Sequence, residues 1–140
     1  MSDFKRLRAW RKSHELAIHT ITTCSTITGS VANVVKNQLV RSIISVPANI
    51  AEGSAKQSDR EFARFLRIAL GSLTESEYHL ILARDLQLLP SAEFDALNEE
   101  LGEVRKMMTG LVKWLTRQTA AAEKKGSARA SGVGRRTTRS

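Results

Sequence analysis

Hydrophobic side chains recur at spacings of three and four residues over four stretches of this 140-residue chain. That spacing places them on one side of a helix, so the pattern predicts four amphipathic helices and an all-α fold. In the first helix the stripe comprises Leu7, Trp10, His14, Ala17, Ile21 and Cys24. It fades between Thr26 and Ser30, where threonine, serine and glycine favour a turn.

The second stretch covers about residues 34–52, with Gly53 well placed to end the helix. Pro47 lies within it, and a proline ring removes one backbone donor and clashes with the carbonyl four residues earlier. We expect a kink at Pro47, because the apolar periodicity continues beyond it. The alternative is a helix that breaks at Val46 and restarts with proline in its first turn.

The third and fourth helices carry more apolar surface than one neighbour covers. Ser58 and Glu61 have the spacing of a capping box, which predicts the start of a third helix that ends near Leu88. The fourth helix opens at Pro90, and its apolar seam repeats at intervals of four and three residues through Leu97, Leu101, Val104, Met108, Leu111 and Leu115. Helices of this length with short connections predict an antiparallel up-and-down bundle, and the surplus apolar surface predicts self-association.

Composition divides the chain into two regions. Residues 1–118 hold all four apolar patterns and form the predicted bundle domain. Residues 119–140 are rich in alanine, glycine, serine, lysine and arginine without an apolar period, so we expect a disordered basic tail. No apolar run approaches the roughly 20 residues that span a membrane, and no signal sequence is apparent. The single Cys24 forms no internal disulfide, which favours a cytoplasmic protein.

The net charge of +8 is concentrated at the two ends of the chain, because residues 119–140 contribute +5 and residues 1–118 only +3. Clustered lysine and arginine attract phosphate backbones without sequence preference. Aromatic residues for base stacking do not interleave with these charges, so we expect electrostatic, salt-sensitive contact with RNA or DNA. A solvated surface that only aids solubility is the alternative. The candidate residues are Lys5, Arg6, Arg8, Arg11, Lys12, Lys124, Lys125, Arg129, Arg135, Arg136 and Arg139.

Catalytic and metal chemistry find little support in the sequence. His14 and His19 are five residues apart and point to different sides of a helix, and no Glu-x-x-His pair of the di-iron type occurs. No catalytic triad or phosphate-binding loop can be assembled, and Gly71 lies inside a helix pattern, where glycine favours close helix packing. We therefore expect neither an enzyme nor a bound metal or cofactor.

Four polar residues within the second and third apolar patterns form a further candidate site: Arg41, Asn49, Glu52 and Glu75. Burial of an unpaired polar group costs about 1–3 kcal/mol, so we expect these side chains to have partners. The preferred interpretation is a structural network that fixes helix register near Pro47. A polar groove for a ligand is the alternative.

The motif Gln38-Leu39-x-Arg41-Ser42 followed by Ser45-Val46-Pro47-Ala48-Asn49-Ile50-Ala51-Glu52-Gly53 resembles the hallmark of the bacterial four-helix-bundle family named after 23S ribosomal RNA intervening sequences. The segment from Glu61 to Glu75 is similar to the third helix of that family, and the resemblance covers about residues 4–117. It implies an antiparallel bundle that assembles as a ring-like homopentamer. The family includes the accessory variability proteins of diversity-generating retroelements, basic pentamers that bind nucleic acid. The resemblance brings no catalytic residue.

Two functions follow from these observations. The first is a non-enzymatic, homo-oligomeric adaptor in the cytoplasm that contacts the phosphate backbone of RNA or DNA. The second is a structural or protein-interaction module with a protein partner and no nucleic-acid role.

Overall fold

Four helices form the part of the chain that the structure describes. The computed structural model describes residues 3–133, in which a short 3₁₀ turn at Phe4–Arg6 precedes α1 (Arg8–Cys24), α2 (Ser30–Ser54), α3 (Asp59–Asp85) and α4 (Ser91–Val133). Connections of four or five residues make consecutive helices antiparallel. Each helix packs against its neighbours in the cyclic order α1, α2, α3, α4. This arrangement confirms the predicted up-and-down four-helix bundle.

The core is built mainly from branched aliphatic side chains of all four helices. Because the apolar residues recur with the helical period, each helix presents them inward. The largest completely buried side chains are Leu16, Leu39, Ile43, Val46, Ile50, Leu66, Leu73, Leu80, Leu97, Leu101, Met108 and Leu115. The seam predicted for α4 is confirmed, with Leu111 only partly buried.

The inward face of α1 is rotated from the predicted stripe. His14 and Ile21 are exposed, whereas Ser13, Leu16 and Thr20 are buried. The Ser13 hydroxyl donates to the Trp10 carbonyl at 2.8 Å, and the Thr20 hydroxyl donates to the Leu16 carbonyl at 2.7 Å. Each polar group is satisfied by its own helix, so it enters the core at little cost.

Helix α2 is continuous through Pro47, which is buried inside it, so the alternative of a break at Val46 is wrong. The kink itself remains a prediction. Gly53 lies within the last turn of α2 and does not adopt the left-handed conformation. A Cβ atom at this position would lie 2.6 Å from Phe65 Cβ, so glycine serves the close approach of α2 and α3 and not the predicted termination.

Local backbone chemistry sets both ends of α3. The Ser58 hydroxyl accepts from the Glu61 backbone N–H at 3.1 Å, which confirms the predicted start. At the other end Gln87 takes the left-handed conformation with φ 59°, and the Leu88 N–H donates to the Ala83 carbonyl at 2.8 Å. This Schellman arrangement ends α3 at Asp85, three residues before the predicted limit.

Residues 119–133, which we call the α4 extension, continue α4 as a helix, so the prediction of a disordered tail is wrong for these residues. Residues 120–122 are alanines, and glutamate and two lysines follow; all are strong helix formers that extend a helix already nucleated. The lost apolar period removes packing partners, and residues 120–132 are exposed. Arg135, Arg136 and Arg139 lie outside the described residues.

Candidate nucleic-acid interface

The four polar residues predicted to form a structural network do not come together in the single chain. Asn49 is half-buried and donates to the Ser45 carbonyl at 2.8 Å and to the Ser45 hydroxyl at 2.9 Å. Arg41 and Glu52 are exposed, and their side chains make no hydrogen bond or ion pair with the described residues. Glu75 is exposed and lies 3.4 Å from His79 Nε2. Of the predicted set, only Asn49 therefore belongs to a network in this chain.

Serine side chains supply the network that joins α2 to α3. Ser76 Oγ lies 2.8 Å from Ser42 Oγ, and Ser45 Oγ lies 2.9 Å from Ser72 Oγ. Asn49 extends this chain of hydrogen bonds along α2. Small side chains allow two helices to approach closely, and their hydroxyls satisfy one another within the interface. The sequence signal for this network is the helical spacing of its serines, three residues apart in α2 (42 and 45) and four apart in α3 (72 and 76).

The serine pairs also fix the register of the two helices, and the outward residues beside them form one exposed surface. We call it the α2–α3 outer face, defined by Arg41, Ile44, Ala48, Glu52, Ile68, Gly71, Glu75 and Tyr78, all of which are exposed. The register places Arg41 at about the level of Glu75. Ile44, Ile68 and Tyr78 are 47%, 44% and 58% exposed, which leaves substantial apolar area uncovered.

The structure brings the N-terminal basic cluster next to the middle of α4, at about residues 103–111. Lys12 lines the same small cleft as Glu103, and Arg8 lies with Leu7 and Ala9 against Met107 and Leu111. Since α1 begins at Arg8, α4 extends past the start of α1 from about residue 111 onward. Within residues 3–133, the basic residues near the start of α1 and those of α4 after Arg105 therefore share one half of the α1–α4 pair.

Charge is strongly segregated along this helix pair. Residues 3–12 and 106–133 together hold eleven basic and two acidic side chains. Residues 13–24 and 91–105, in the other half, hold six acidic side chains and one basic. A surface of one sign produces a potential that attracts ligands of the opposite sign, so the basic half is the candidate nucleic-acid interface.

Exposed cations follow one side of α4 in this basic half. Lys106, Lys113, Arg117 and Lys124 are separated by seven, four and seven residues, which places them on one side of the helix. Glu123 is the one acidic residue between Lys106 and Val133, and it pairs with Arg60 of α3. A second contact joins the same two helices, a hydrogen bond of 3.5 Å between Arg67 Nη2 and Thr116 Oγ1. Together the two contacts hold the C-terminal part of α4 against α3. Lys106, Lys113 and Arg117 are not among the basic residues predicted for this site, because they lie within the apolar pattern of the fourth helix.

The histidines and the cysteine occupy separate places. His14 stacks on Trp10 with ring centroids 4.9 Å apart, and His19 Nδ1 lies 3.0 Å from Glu100 Oε2. Cys24 is fully buried, and burial raises the pKa of its thiol above the ordinary value of 9.0. Across residues 3–133, no group of three or more potential metal ligands comes together. In the same part of the chain, none of the helices combines the length and apolar character required to span a bilayer.

Similarity to known proteins covers most of the bundle. A solved structure of a protein with unknown function from the S23 ribosomal protein family of Bacteroides thetaiotaomicron VPI-5482 superposes with a TM-score of 0.70. The two chains are 27% identical, and the match covers 75% of this chain and 98% of that chain. No curated protein sequence shows significant similarity. The family model described as 23S rRNA-intervening sequence protein matches residues 5–110. With the motif from Gln38 to Gly53 and the four-helix fold, this match shows that the chain belongs to the 23S rRNA-intervening sequence protein family.

Proposed function

We propose that this protein is a non-enzymatic, self-assembling adaptor that contacts the phosphate backbone of RNA or DNA. The observation that carries the proposal is the basic half of the α1–α4 pair, with its eleven basic and two acidic side chains. Lysine and arginine on such a surface neutralise phosphates and release counterions, which supplies affinity without base-specific contacts. We place the protein in the cytoplasm, where its free Cys24 stays reduced.

Self-assembly, in our proposal a ring-like homopentamer, is supported by the α2–α3 outer face. Gly71 in this face lies inside α3, where glycine costs about 0.5–1 kcal/mol relative to alanine. A Cβ atom at Gly71 would meet nothing within 4 Å, so nothing in the described part of the chain requires glycine there. A second copy that approaches closely at Gly71, and buries Ile44 and Ile68, would account for both features. Repetition of weak phosphate contacts around a ring would raise avidity.

The phosphate-binding proposal is tested by two charge variants of equal size. One changes Lys124, Lys125 and Arg129 to glutamine; the control changes Asp95, Glu99 and Glu103, which are exposed in the acidic half, to asparagine and glutamine. We expect the first variant to weaken binding of a labelled RNA and to lower the slope of log affinity against log salt by about 1 per lost contact. The control should bind at least as well as the natural sequence. Unchanged binding by the first variant would contradict an interface on the α4 extension.

A structural or protein-interaction module without a nucleic-acid role is the second candidate, and the exposed apolar area of the α2–α3 outer face favours it. Changing Gly71 to arginine tests self-assembly without disturbing the core, because the position is open in the single chain. Light scattering should show a smaller particle for this variant. A natural protein that is monomeric, near 15.5 kDa, would contradict assembly for either candidate.

A further inference from the structure

Both tryptophans of the chain lie within the basic half of the α1–α4 pair, Trp10 in α1 and Trp114 in α4. Met107, Leu111 and Trp114 are spaced by four and three residues, so they share the face of α4 that turns toward α1. Helix α1 begins at Arg8 and covers this face only as far as Leu111. Trp114 lies one turn further along and is 52% exposed. Because α1 starts at the level of Leu111, it does not cover Trp114, and the indole ring is open to solvent.

An open apolar cavity lies one turn of α4 before Trp114, at Leu111. Its volume is about 260 Å³, and it is lined by Leu7, Ala9, Met107 and Leu111, with Arg8 contributing its charge. Enclosed sites for drug-sized ligands have volumes of about 300–1,000 Å³, so this shallow cavity suits one planar ring better than a whole small molecule.

The two tryptophans differ in their surroundings. Trp10 stacks on His14 and makes an edge-to-face contact with Phe4 at a centroid distance of 5.0 Å, so it has two ring partners within the chain. Trp114 makes no ring contact with any residue from 3 to 133. An exposed indole costs solvation free energy, because its large apolar surface remains in water. A ligand with flat aromatic faces would cover it.

Charge identifies the ligand that this surface fits. Lys113 precedes Trp114 directly, Arg117 follows it by one turn, and Arg8 lines the cavity at Leu111, one turn before it. A second copy that presented the same basic surface would be repelled. A ligand that carries regularly spaced anions and flat heterocycles matches both the cations and the indole, and an unpaired nucleic-acid strand has this chemistry.

We infer that Trp114 is a stacking platform for a base of single-stranded nucleic acid, with Arg8, Lys113 and Arg117 on the flanking phosphates. In a duplex the base faces are stacked within the helix, so the indole contributes only where bases are unpaired. This inference rests on the proposed function and deepens it, because phosphate contact alone would not distinguish single strands from duplexes. Phosphates and base faces are common to RNA and DNA, so strands of either sugar should bind.

The test compares the full natural chain with Trp114→Ser and Trp114→Phe. The probes are labelled 20-nucleotide uridine and thymidine strands, a 20-base-pair duplex, and a thymidine strand of equal length in which the bases are replaced by abasic sites. Stacking contributes about 1–3 kcal/mol per base, so Trp114→Ser should weaken binding of both single strands by about fivefold or more. Trp114→Phe should restore most of that loss. Binding of the duplex and of the abasic strand should change by less than about twofold, because these probes offer no base to the indole.

Two outcomes would overturn the inference. If Trp114→Ser weakens the binding of all four probes equally, or of none of them, the ring does not stack on unpaired bases. Salt-dependent binding would in that case leave the proposed function intact. If light scattering shows that Trp114→Ser changes the oligomeric state while each subunit binds as before, the ring belongs to a subunit contact. Absence of binding to every probe by the natural chain at low salt would instead contradict the proposed function.

Discussion

The hydroxyl of Ser76 donates a hydrogen bond to the hydroxyl of Ser42 across the α2–α3 interface, with 2.8 Å between the two oxygen atoms. Both side chains are buried, at 0% and 3% exposure, and the Ser42 hydroxyl in turn donates to the Leu39 carbonyl at 3.1 Å. This pair fixes the register of the two helices that carry the family motif. It therefore determines which residues of α2 and α3 lie at the same level on the α2–α3 outer face.

Changing Ser76 to alanine should lower the free energy of unfolding by about 1 kcal/mol, because a buried hydrogen bond between the two helices is lost. Ser131→Ala, in the exposed α4 extension, is the matched control and should change it by less than about 0.5 kcal/mol. Urea unfolding of all variants at one protein concentration provides the measurement, since assembly makes stability depend on concentration. Equal stability of the two variants would contradict the register role of the serine pair.

Gly53 and Gly110 should respond in opposite ways to alanine. A Cβ atom at Gly53 would lie 2.6 Å from Phe65 Cβ and 2.9 Å from Phe62 Cδ2, so overpacking should cost about 1–3 kcal/mol despite the higher helix propensity of alanine. At Gly110 nothing lies within 4 Å, and alanine should add about 0.5–1 kcal/mol. Thermal unfolding separates the two effects by sign. A stabilised Gly53→Ala variant would show that the helices do not approach this closely.

Gln87 holds a left-handed backbone conformation at the end of α3, with φ 59°. A side chain in this region costs roughly 1–2 kcal/mol, and glycine avoids that cost. Gln87→Gly should therefore stabilise the protein by up to about 1 kcal/mol, the reverse of the usual effect of glycine. Gln38→Gly, at an exposed position inside α2, is the control and should destabilise by about 1 kcal/mol. Denaturant midpoints measure both, and a destabilised Gln87→Gly variant would contradict the Schellman ending.

The buried Cys24 thiol should link stability to alkaline pH. Burial raises the pKa of this thiol in the folded state above 9.0, with a smaller opposing effect from Lys36. The unfolded thiol loses its proton first, so the stabilisation is fully present below the unfolded pKa and is lost as pH rises through the folded pKa. Between about pH 8 and pH 10 the natural chain should lose more unfolding free energy than Cys24→Ala. Parallel pH profiles of the two proteins would contradict this assignment.

The fold was predictable because its determinants are local and periodic. The α4 seam from Leu97 to Leu115 repeats strictly, and the Ser58 cap acts within one turn, so both are visible in the sequence. The α1 face was predicted wrongly because Ser13 and Thr20 count as polar by type, yet their hydroxyls bond to their own helix. Composition predicts a disordered tail, whereas the helix propensity of these residues and the helix that precedes them favour continuation of α4 through residue 133.

The candidate site was only partly predictable. The basic residues were visible, but their gathering beside α4 depends on the antiparallel packing of α1, which composition does not reveal. The sequence shows that Trp114 is outside the apolar seam of α4. Its exposure, however, depends on where α1 begins, which the sequence pattern does not show. Arg41, Glu52 and Glu75 were expected inside a network because they interrupt apolar runs. Ser42 and Ser76 instead lie on the sides where α2 and α3 meet, and the three charged residues are exposed.

A fluorescence-anisotropy titration of a labelled RNA with the full natural chain, at about 50 mM and about 200 mM salt, tests whether the protein contacts phosphates. We expect binding at low salt and an affinity that falls at least about tenfold at the higher concentration, because the basic half of the α1–α4 pair neutralises several phosphates. No binding at low salt, or binding that does not change with salt, would contradict a phosphate-contacting adaptor.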